Sequence, residues 1–190
     1  TDVYVNGIEP SESSNSIGGT ITNLYMIESG AALSVSADVG TLYAIPQERQ
    51  VNSVKLTSAP DNVNVIAKGR SMVELTGNCA TVTASDHSRI EVNDSGAAGI
   101  TGAVVLRDAA RLNYLGGSGF QGNCTLYGGE ITLKDNASSS VLFEASVTLW
   151  SDALLDLRNG VSAAAFDVGE TVLVYGGSIL LDPDGKVTPT

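Results

Sequence analysis

The sequence contains one short pattern twice. TLYGGEITLKDNA occupies residues 125–137, and LVYGGSILLDPDG occupies residues 173–185. Each copy places a tyrosine, Tyr127 or Tyr175, before two glycines and then continues with alternating apolar residues. A pattern that returns in this way far along the chain indicates that the chain is built from similar structural units.

A shorter pattern, in which two apolar residues flank any third residue, gives the size of the unit. Eight copies of it form a regular series, in which successive copies are on average about 21 residues apart. In seven of the eight copies the middle residue is not apolar, Leu180 being the exception. This alternation predicts strands with one buried face and one solvated face. The eight triplets begin at Leu33, Val54, Val73, Ile90, Leu112, Ile131, Leu155 and Ile179.

Further strand candidates lie between these triplets, and no segment has the length and pattern of a helix. So short a period, with several strands in each repeat, predicts a β-solenoid, in which each coil stacks on the one before it. We therefore expect an all-β chain that forms a right-handed parallel β-helix of about eight coils over residues 20–181. Residues 1–19 are expected to form a lead-in or capping segment, and residues 182–190 a tail or linker. An antiparallel sandwich or jelly roll is the alternative fold, since short strands with turn signals suit it as well.

Composition excludes some classes of function. The 190 residues include 10 Lys and Arg against 21 Asp and Glu, which gives a net charge of −11. No basic footprint for nucleic acid is present, and binding to an anionic membrane surface is disfavoured. The sequence contains no run of about 18 apolar residues, so no membrane-spanning helix is predicted. The abrupt start at Thr1 and the end in KVTPT indicate a piece of a longer protein.

The paired glycines and the YVNG stretch at residues 4–7 carry a resemblance to a known family. Tandem Gly-rich coils with GG before an apolar strand resemble the passenger domains of AIDA-type autotransporter adhesins. The resemblance implies a right-handed β-helix that is secreted or displayed on the bacterial cell surface. It also implies adhesion to a host or bacterial glycan or protein, or self-association, with no catalytic residue and no cofactor. GG occurs here in only four places, at 18–19, 116–117, 128–129 and 176–177.

The two cysteines each follow the dipeptide GN, and their separation is close to twice the mean period. An even count in a secreted protein suggests a disulfide. Equivalent positions two coils apart would instead place the Cα atoms about 9–10 Å from each other, beyond the reach of a disulfide. We therefore expect Cys79 and Cys124 to be free thiols that point inward. Two thiols and one histidine cannot fill a structural zinc site.

Other polar residues suggest chemistry less directly. His87, the only histidine, lies in ASDHSRI, where neighbouring side chains of a strand point in opposite directions; a polar corner is expected rather than a catalytic triad. Glu74 and Glu91, with Arg89 and Arg111 nearby, fit a solvated charged face or the carboxylate site of a polysaccharide lyase or glycoside hydrolase. DPDG at residues 182–185 is expected to be a turn rather than a calcium loop. A phage tail-fibre segment is a further alternative for the whole chain.

One set of residues predicts a binding site. Tyr127, Trp150 and Tyr175 recur at intervals close to the period and are therefore equivalent in the repeat, and Arg107 extends the series by one coil. Rings that point outward would form a ladder able to contact sugars or anchor a protein partner, because aromatic residues and Arg are typical interface anchors. Rings that point inward would form an aromatic stack in the core. The sequence leaves both orientations open.

Overall fold

The fold was obtained as a computed structural model. It describes residues 1–8, 16–29, 32–46, 53–56, 63–76, 79–92, 99–115, 119–133, 141–158, 164–166, 171–181 and 187–189. Within these ranges the chain forms 22 β-strands, which are arranged in three sheets. All pairings between these strands are parallel.

Sheet A contains nine of the described strands. In order along the stack these are β1 (Asp2–Ile8), β3 (Thr20–Ser29), β5 (Asp38–Ala44), β7 (Val63–Ala67), β9 (Cys79–Ala84), β11 (Val104–Arg107), β14 (Cys124–Tyr127), β17 (Val147–Trp150) and β20 (Val172–Val174). Each strand pairs with the next member of the series, so neighbours in the sheet come from successive passes of the chain.

Sheet B also contains nine described strands, which alternate with those of sheet A along the chain. They are β2 (Ser16–Ile17), β4 (Ala32–Val35), β6 (Ser53–Leu56), β8 (Met72–Leu75), β10 (Arg89–Val92), β12 (Arg111–Tyr114), β15 (Glu130–Leu133), β18 (Leu154–Asp156) and β21 (Ser178–Leu180). Sheet C is shorter and consists of β13 (Gly119–Phe120), β16 (Val141–Phe143), β19 (Ala164–Phe166) and β22 (Val187–Pro189).

This arrangement confirms the predicted β-solenoid. It excludes the alternative sandwich, whose strands would be antiparallel. The eight repeated triplets stack in register through sheet B, from Leu33 beside Val54 to Leu155 beside Ile179. The predicted count of eight coils does not match the structure. β2 lies before the first triplet and pairs with β4, which gives nine strands in sheet B among the described residues.

The core lies between the sheets and is filled by aliphatic side chains stacked along the rod. In sheet A, Leu24 pairs with Leu42, Leu42 with Val65, and Val65 with Val82, and all four side chains are fully buried. The neighbouring positions in each strand point to solvent, as the period of two in a strand requires. The predicted alternation therefore decides which face of each sheet is available for binding.

The corners between sheet A and sheet B differ in length. The corners at 108–110 and 151–153 contain three residues, whereas the corner at 128–129 contains only the two glycines. The strands before and after these three corners pair in register with one another. Gly128 has a φ of 90°, a conformation that favours glycine. The repeated GG therefore marks a corner that is one residue shorter than its neighbours.

The segments predicted at the two ends also contain strands. β1 and β2 lie within residues 1–19, and they pair with strands of sheet A and sheet B. β22 lies within residues 182–190 and pairs with β19 in sheet C. The DPDG stretch lies outside the described residues.

Both cysteines are free and buried, as expected, but their predicted equivalence is wrong. Cys79 pairs with Ile100 in an isolated parallel β-bridge, and Ile100 pairs with Phe120 in another. Cys124 instead pairs with Val104 and Val147 in sheet A. The coils differ in length, so a count of two mean periods reaches a different position in the coil.

Candidate functional site

Sheet A presents the predicted aromatic residues on its solvent face. Tyr127 and Trp150 close strands β14 and β17, where they pair in register, and Tyr175 follows β20 directly. Their exposed fractions are 41%, 38% and 57%. Of the two orientations that the sequence left open, the structure therefore has the outward one.

The three rings stack on one another along the rod. The centroids of Tyr127 and Trp150 are 6.4 Å apart with an interplanar angle of 9°, and those of Trp150 and Tyr175 are 4.2 Å apart at 16°. Arg107 pairs with Tyr127 in register, and its guanidinium carbon lies 4.3 Å from the centroid of that ring. We call Arg107, Tyr127, Trp150 and Tyr175 the C-terminal ladder.

The stacking decides which part of each ring can meet a partner. Both faces of Trp150 are turned towards Tyr127 and Tyr175, and one face of Tyr127 is covered by Arg107. The side that points away from sheet A therefore consists of ring edges and tyrosine hydroxyls. Such a surface offers apolar contact and hydrogen bonds together, which is the character of aromatic residues at protein interfaces.

A second aromatic stack on the solvent face of sheet A was missed in the sequence; its first ring, Tyr4, is exposed, whereas Tyr25 and Tyr43 are half-buried. Tyr4, Tyr25 and Tyr43 pair in register on β1, β3 and β5, and successive ring centroids are 4.6 Å apart. We call these three residues the N-terminal ladder. Their spacings along the chain follow its period, so a search for aromatic residues at that period would have found them. Burial and the neighbouring Tyr43, Asp2 and Tyr4 raise the pKa of Tyr25.

The core also holds an aromatic stack, formed by residues that the sequence analysis did not single out. The ring centroids of Tyr114 and Phe120 are 4.9 Å apart, and those of Phe120 and Phe143 are 4.8 Å apart. The hydroxyl of Tyr114 accepts a hydrogen bond of 2.9 Å from the backbone N–H of Gly119. This bond satisfies the buried polar end of Tyr114, and the stack is part of the packing.

The charged face predicted on sheet B is present, and three of its acids pair with arginines. Glu74 and Glu91 are neighbours in register, as expected. Among the described residues, three carboxylate–guanidinium pairs lie on or directly after the strands of this sheet: Arg89 with Glu91, Arg111 with Glu130 at 3.2 Å, and Arg158 with Asp156 at 2.9 Å. Hydrogen bonds from Arg158 to Asp156, together with the charge of that carboxylate, raise the pKa of the guanidinium.

His87 is exposed at the corner that follows β9, as expected for a polar corner residue. The next residue, Ser88, is buried, and its hydroxyl donates a 2.8 Å hydrogen bond to the backbone oxygen of Ser85. Ser88 is therefore engaged with the backbone of its own turn. Across the described residues, no group of three or more His, Cys, Asp or Glu side chains could hold a metal ion.

A cleft of about 320 Å³ opens beside the C-terminal ladder, at the short corner. Gly128 and Gly129 form part of its lining, together with Asp108 and Asp152 from the longer corners on either side. It exists because two glycines lie where the neighbouring coils have three residues with side chains. The sequence predicted the glycine corner but not the cleft.

The described segments contain no helix that is long and apolar enough to cross a membrane. No family model, curated protein or solved structure matches the chain. The class that the fold defines is a parallel β-solenoid, and the functional argument rests on its surface.

Proposed function

We propose that the chain is a structural and adhesive β-solenoid segment of a bacterial surface or secreted protein, and that it holds a partner through the C-terminal ladder. The right-handed sense of the solenoid belongs to this proposal, since parallel strands joined by crossovers favour it. The resemblance to autotransporter adhesin passengers supports the location and the adhesive role. No enzymatic activity is proposed.

The exposed ladder is the observation that carries the proposal. Packing in the core would bury these rings, but each of the three is more than a third exposed. Leu173 and Val174 beside them are also exposed, which widens the apolar patch. Patches of this kind on an otherwise polar surface mark interaction sites, and aromatic residues with Arg provide their anchors.

Stacking favours a protein as the partner. A sugar that stacks on an aromatic residue needs a free ring face, whereas the faces of Trp150 are turned to its neighbours. A protein surface can pack against ring edges and exchange hydrogen bonds with the hydroxyls of Tyr127 and Tyr175. The charged face of sheet B supports an enzyme less well, because the three acids of its ion pairs are engaged with arginines.

The test compares two exposed tyrosines, each at one end of an aromatic stack. Tyr175→Ala removes the last ring of the C-terminal ladder, and Tyr4→Ala removes the first ring of the N-terminal ladder. Beads coated with each variant are scored for adhesion to bacterial and host cells, with protease-treated cells as a further arm. Thermal unfolding measures the folded fraction of each variant.

We expect Tyr175→Ala to lose at least tenfold in adhesion per folded molecule, and Tyr4→Ala to keep it. Protease treatment of the target cells should abolish adhesion of the unaltered chain. Equal adhesion of the Tyr175→Ala variant and the unaltered chain would reject the ladder as the site. Adhesion that survives protease but is blocked by free glycans would replace the protein partner with a sugar.

A further inference from the structure

The last described strands of sheets A and B leave aliphatic side chains uncovered. Val174 is 49% exposed, although Leu149, its partner one coil earlier, is fully buried. Leu181 is 54% exposed, whereas Leu157, at the equivalent position one coil earlier, is buried. Among the described strands, none pairs with the outer edge of β20 or β21. We call the surface formed by Val172, Val174 and Leu181 the C-terminal face.

The first strands of the two sheets leave a similar set uncovered. Val3 and Val5 on β1 and Ile17 on β2 pack against the core but stay partly exposed. β1 and β2 begin sheets A and B, so each has one edge to which no described strand is paired. We call the surface formed by these three residues the N-terminal face.

In sheet A the two faces lie at the ends of the same columns, a column being the residues that pair in register from strand to strand. The column that begins at Val3 ends at Val172, and the column that begins at Val5 ends at Val174. Every residue between them in these two columns is buried. The aliphatic positions of the two faces therefore coincide when one face is laid over the other.

Sheet B shows the same correspondence. The column that begins at Ile17 reaches Leu133 through successive strand pairs, and the pairing of the last strands continues it to Leu181. A second copy whose N-terminal face lies on the C-terminal face would thus continue three aliphatic columns at once. The step between the copies would be that of an ordinary coil, about 4.8 Å.

The strand edges at these faces lack charged protection where they would meet. Natural proteins protect exposed strand edges with charged side chains and prolines. Residues 171–181 contain neither, although the whole chain has a net charge of −11. In β1 the only charged side chain is that of Asp2, and the register of this strand becomes irregular only after Val5. Both edges can therefore form further parallel hydrogen bonds beside apolar side chains.

We propose that the N-terminal face of one copy of this chain stacks on the C-terminal face of another, so that copies join head to tail into a longer rod. A second copy is the occupant because it supplies aliphatic side chains at the three matching positions. The two faces differ, so each dimer keeps one free face of each kind and association can continue. Stacking covers Val174 but leaves the ring edges of the C-terminal ladder at the side of the rod, so the inference is independent of the proposed function.

Engineered cysteines test the register of the junction. Tyr4 and Leu173 are the exposed ends of one column on the solvent face of sheet A, and they should be neighbours across the junction. Paired strands hold opposite Cα atoms about 5 Å apart, within the reach of a disulfide. Chains with Tyr4→Cys and chains with Leu173→Cys are mixed, treated with a mild oxidant and separated on a non-reducing gel. The control replaces Tyr4→Cys with Tyr25→Cys, which lies in the same column one coil further in.

We expect the mixture to give a disulfide-linked pair with one chain of each kind. Each variant alone, and the control mixture, should give at least tenfold less of any linked pair, because the native cysteines are buried. A mixture that does not cross-link would overturn the inference. Equal cross-linking of Leu173→Cys with itself would also overturn it, since two C-terminal faces would then meet each other.

A second set of variants tests association without oxidation. Val174→Lys places a charge in the C-terminal face, and Val5→Lys places one in the N-terminal face. An unpaired charge in an apolar junction is costly, so each variant alone should associate at least tenfold more weakly than the unaltered chain. Thr83→Lys, on the exposed face of β9 in the middle of the rod, is the control and should associate as the unaltered chain does. Circular dichroism checks that each variant is folded.

Sedimentation of a mixture distinguishes head-to-tail stacking from other modes. Val174→Lys keeps an intact N-terminal face and Val5→Lys an intact C-terminal face, so an equimolar mixture should form dimers and nothing larger. The unaltered chain should sediment with a mass that rises with concentration. An unaltered chain that stays monomeric, or folded variants whose mixture does not dimerise, would overturn the inference.

Discussion

Gly129 shows how one residue position shapes the candidate site. A Cβ atom at this position would lie 2.5 Å from the Cβ of Leu106 and 3.1 Å from the backbone oxygen of Ala110. The neighbouring coil thus packs directly against the glycine. Since no side chain fits, the corner stays close to the core and leaves room for the cleft.

Replacement of this glycine should destabilise the stack. Gly129→Ala forces Leu106 or the backbone to move, and overpacking of this kind costs about 1–3 kcal/mol. Gly18→Ala is the control, because the atom nearest to its added Cβ is the Ser36 hydroxyl at 3.9 Å. Urea unfolding measures both variants. Equal stability of the two would contradict the close packing at the corner.

The cysteines give a prediction about reactivity. Burial raises the pKa of Cys79 and of Cys124 to about 12, so both thiols remain protonated in the folded protein at neutral pH. Because the thiolate is the reactive form, a thiol reagent at pH 8 should modify neither residue until the chain unfolds, and then modify both without a reductant. Mass spectrometry counts the modified sites. Rapid labelling of the folded protein, or a disulfide, would contradict the structure.

The same pKa shifts predict the effect of alkali. The folded chain holds the thiol protons more tightly than the unfolded chain, whose thiols titrate near 9.0. The free energy of unfolding should therefore be independent of these groups below that pH and fall as the pH rises towards 12. Replacing both cysteines with alanine should remove this part of the alkaline loss.

At the scale of the element, the repeated triplet predicted the strands of sheet B well, because it recurs once in each coil. The strands of sheet B follow from it, since a buried residue on each side of a polar one fixes both the strand and its inner face. Sheet C could not be predicted in this way. β13 has only two residues, Gly119–Phe120, which is too short for any alternation to be read.

The cysteine positions show where counting along the sequence fails. Cys79, Ile100 and Phe120 occupy equivalent positions in successive coils, and Cys124 comes later in its coil than Phe120 does. Corners of two and three residues add to this drift. The orientation of the Tyr127 side chain was harder still to predict, because whether an aromatic residue points outward or inward depends on the exact register of its strand.

Strand β17 offers a test of alternation between neighbouring residues. Leu149 is fully buried, whereas Trp150 beside it is exposed. We expect Leu149→Ala to lower the free energy of unfolding by about 2–5 kcal/mol, because it leaves a cavity in the core. Trp150→Ala should lower it by less, since only its stacking with two exposed rings is lost. Thermal or urea unfolding compares the two, and a larger loss at Trp150 would contradict the outward ladder.

The whole molecule is a stack whose length follows from the strand spacing. Nine strands in sheet A are separated by eight steps, which corresponds to about 38 Å along the rod. The N-terminal ladder lies at one end of the solvent face of sheet A and the C-terminal ladder at the other. The chain has a net charge of −11. The same rod therefore combines two aromatic ladders with an overall charge that attracts cations.

The central claim is that this rod keeps its aliphatic side chains inside and presents the C-terminal ladder to solvent. Acrylamide quenching of Trp150 in the folded chain tests it most directly, because no other tryptophan contributes to the emission. With 38% of the residue exposed, we expect clear quenching in the native state, at a level between that of a buried tryptophan and that of the unfolded chain. A blue-shifted emission that acrylamide reaches only after unfolding would place Trp150 in the core and contradict the account.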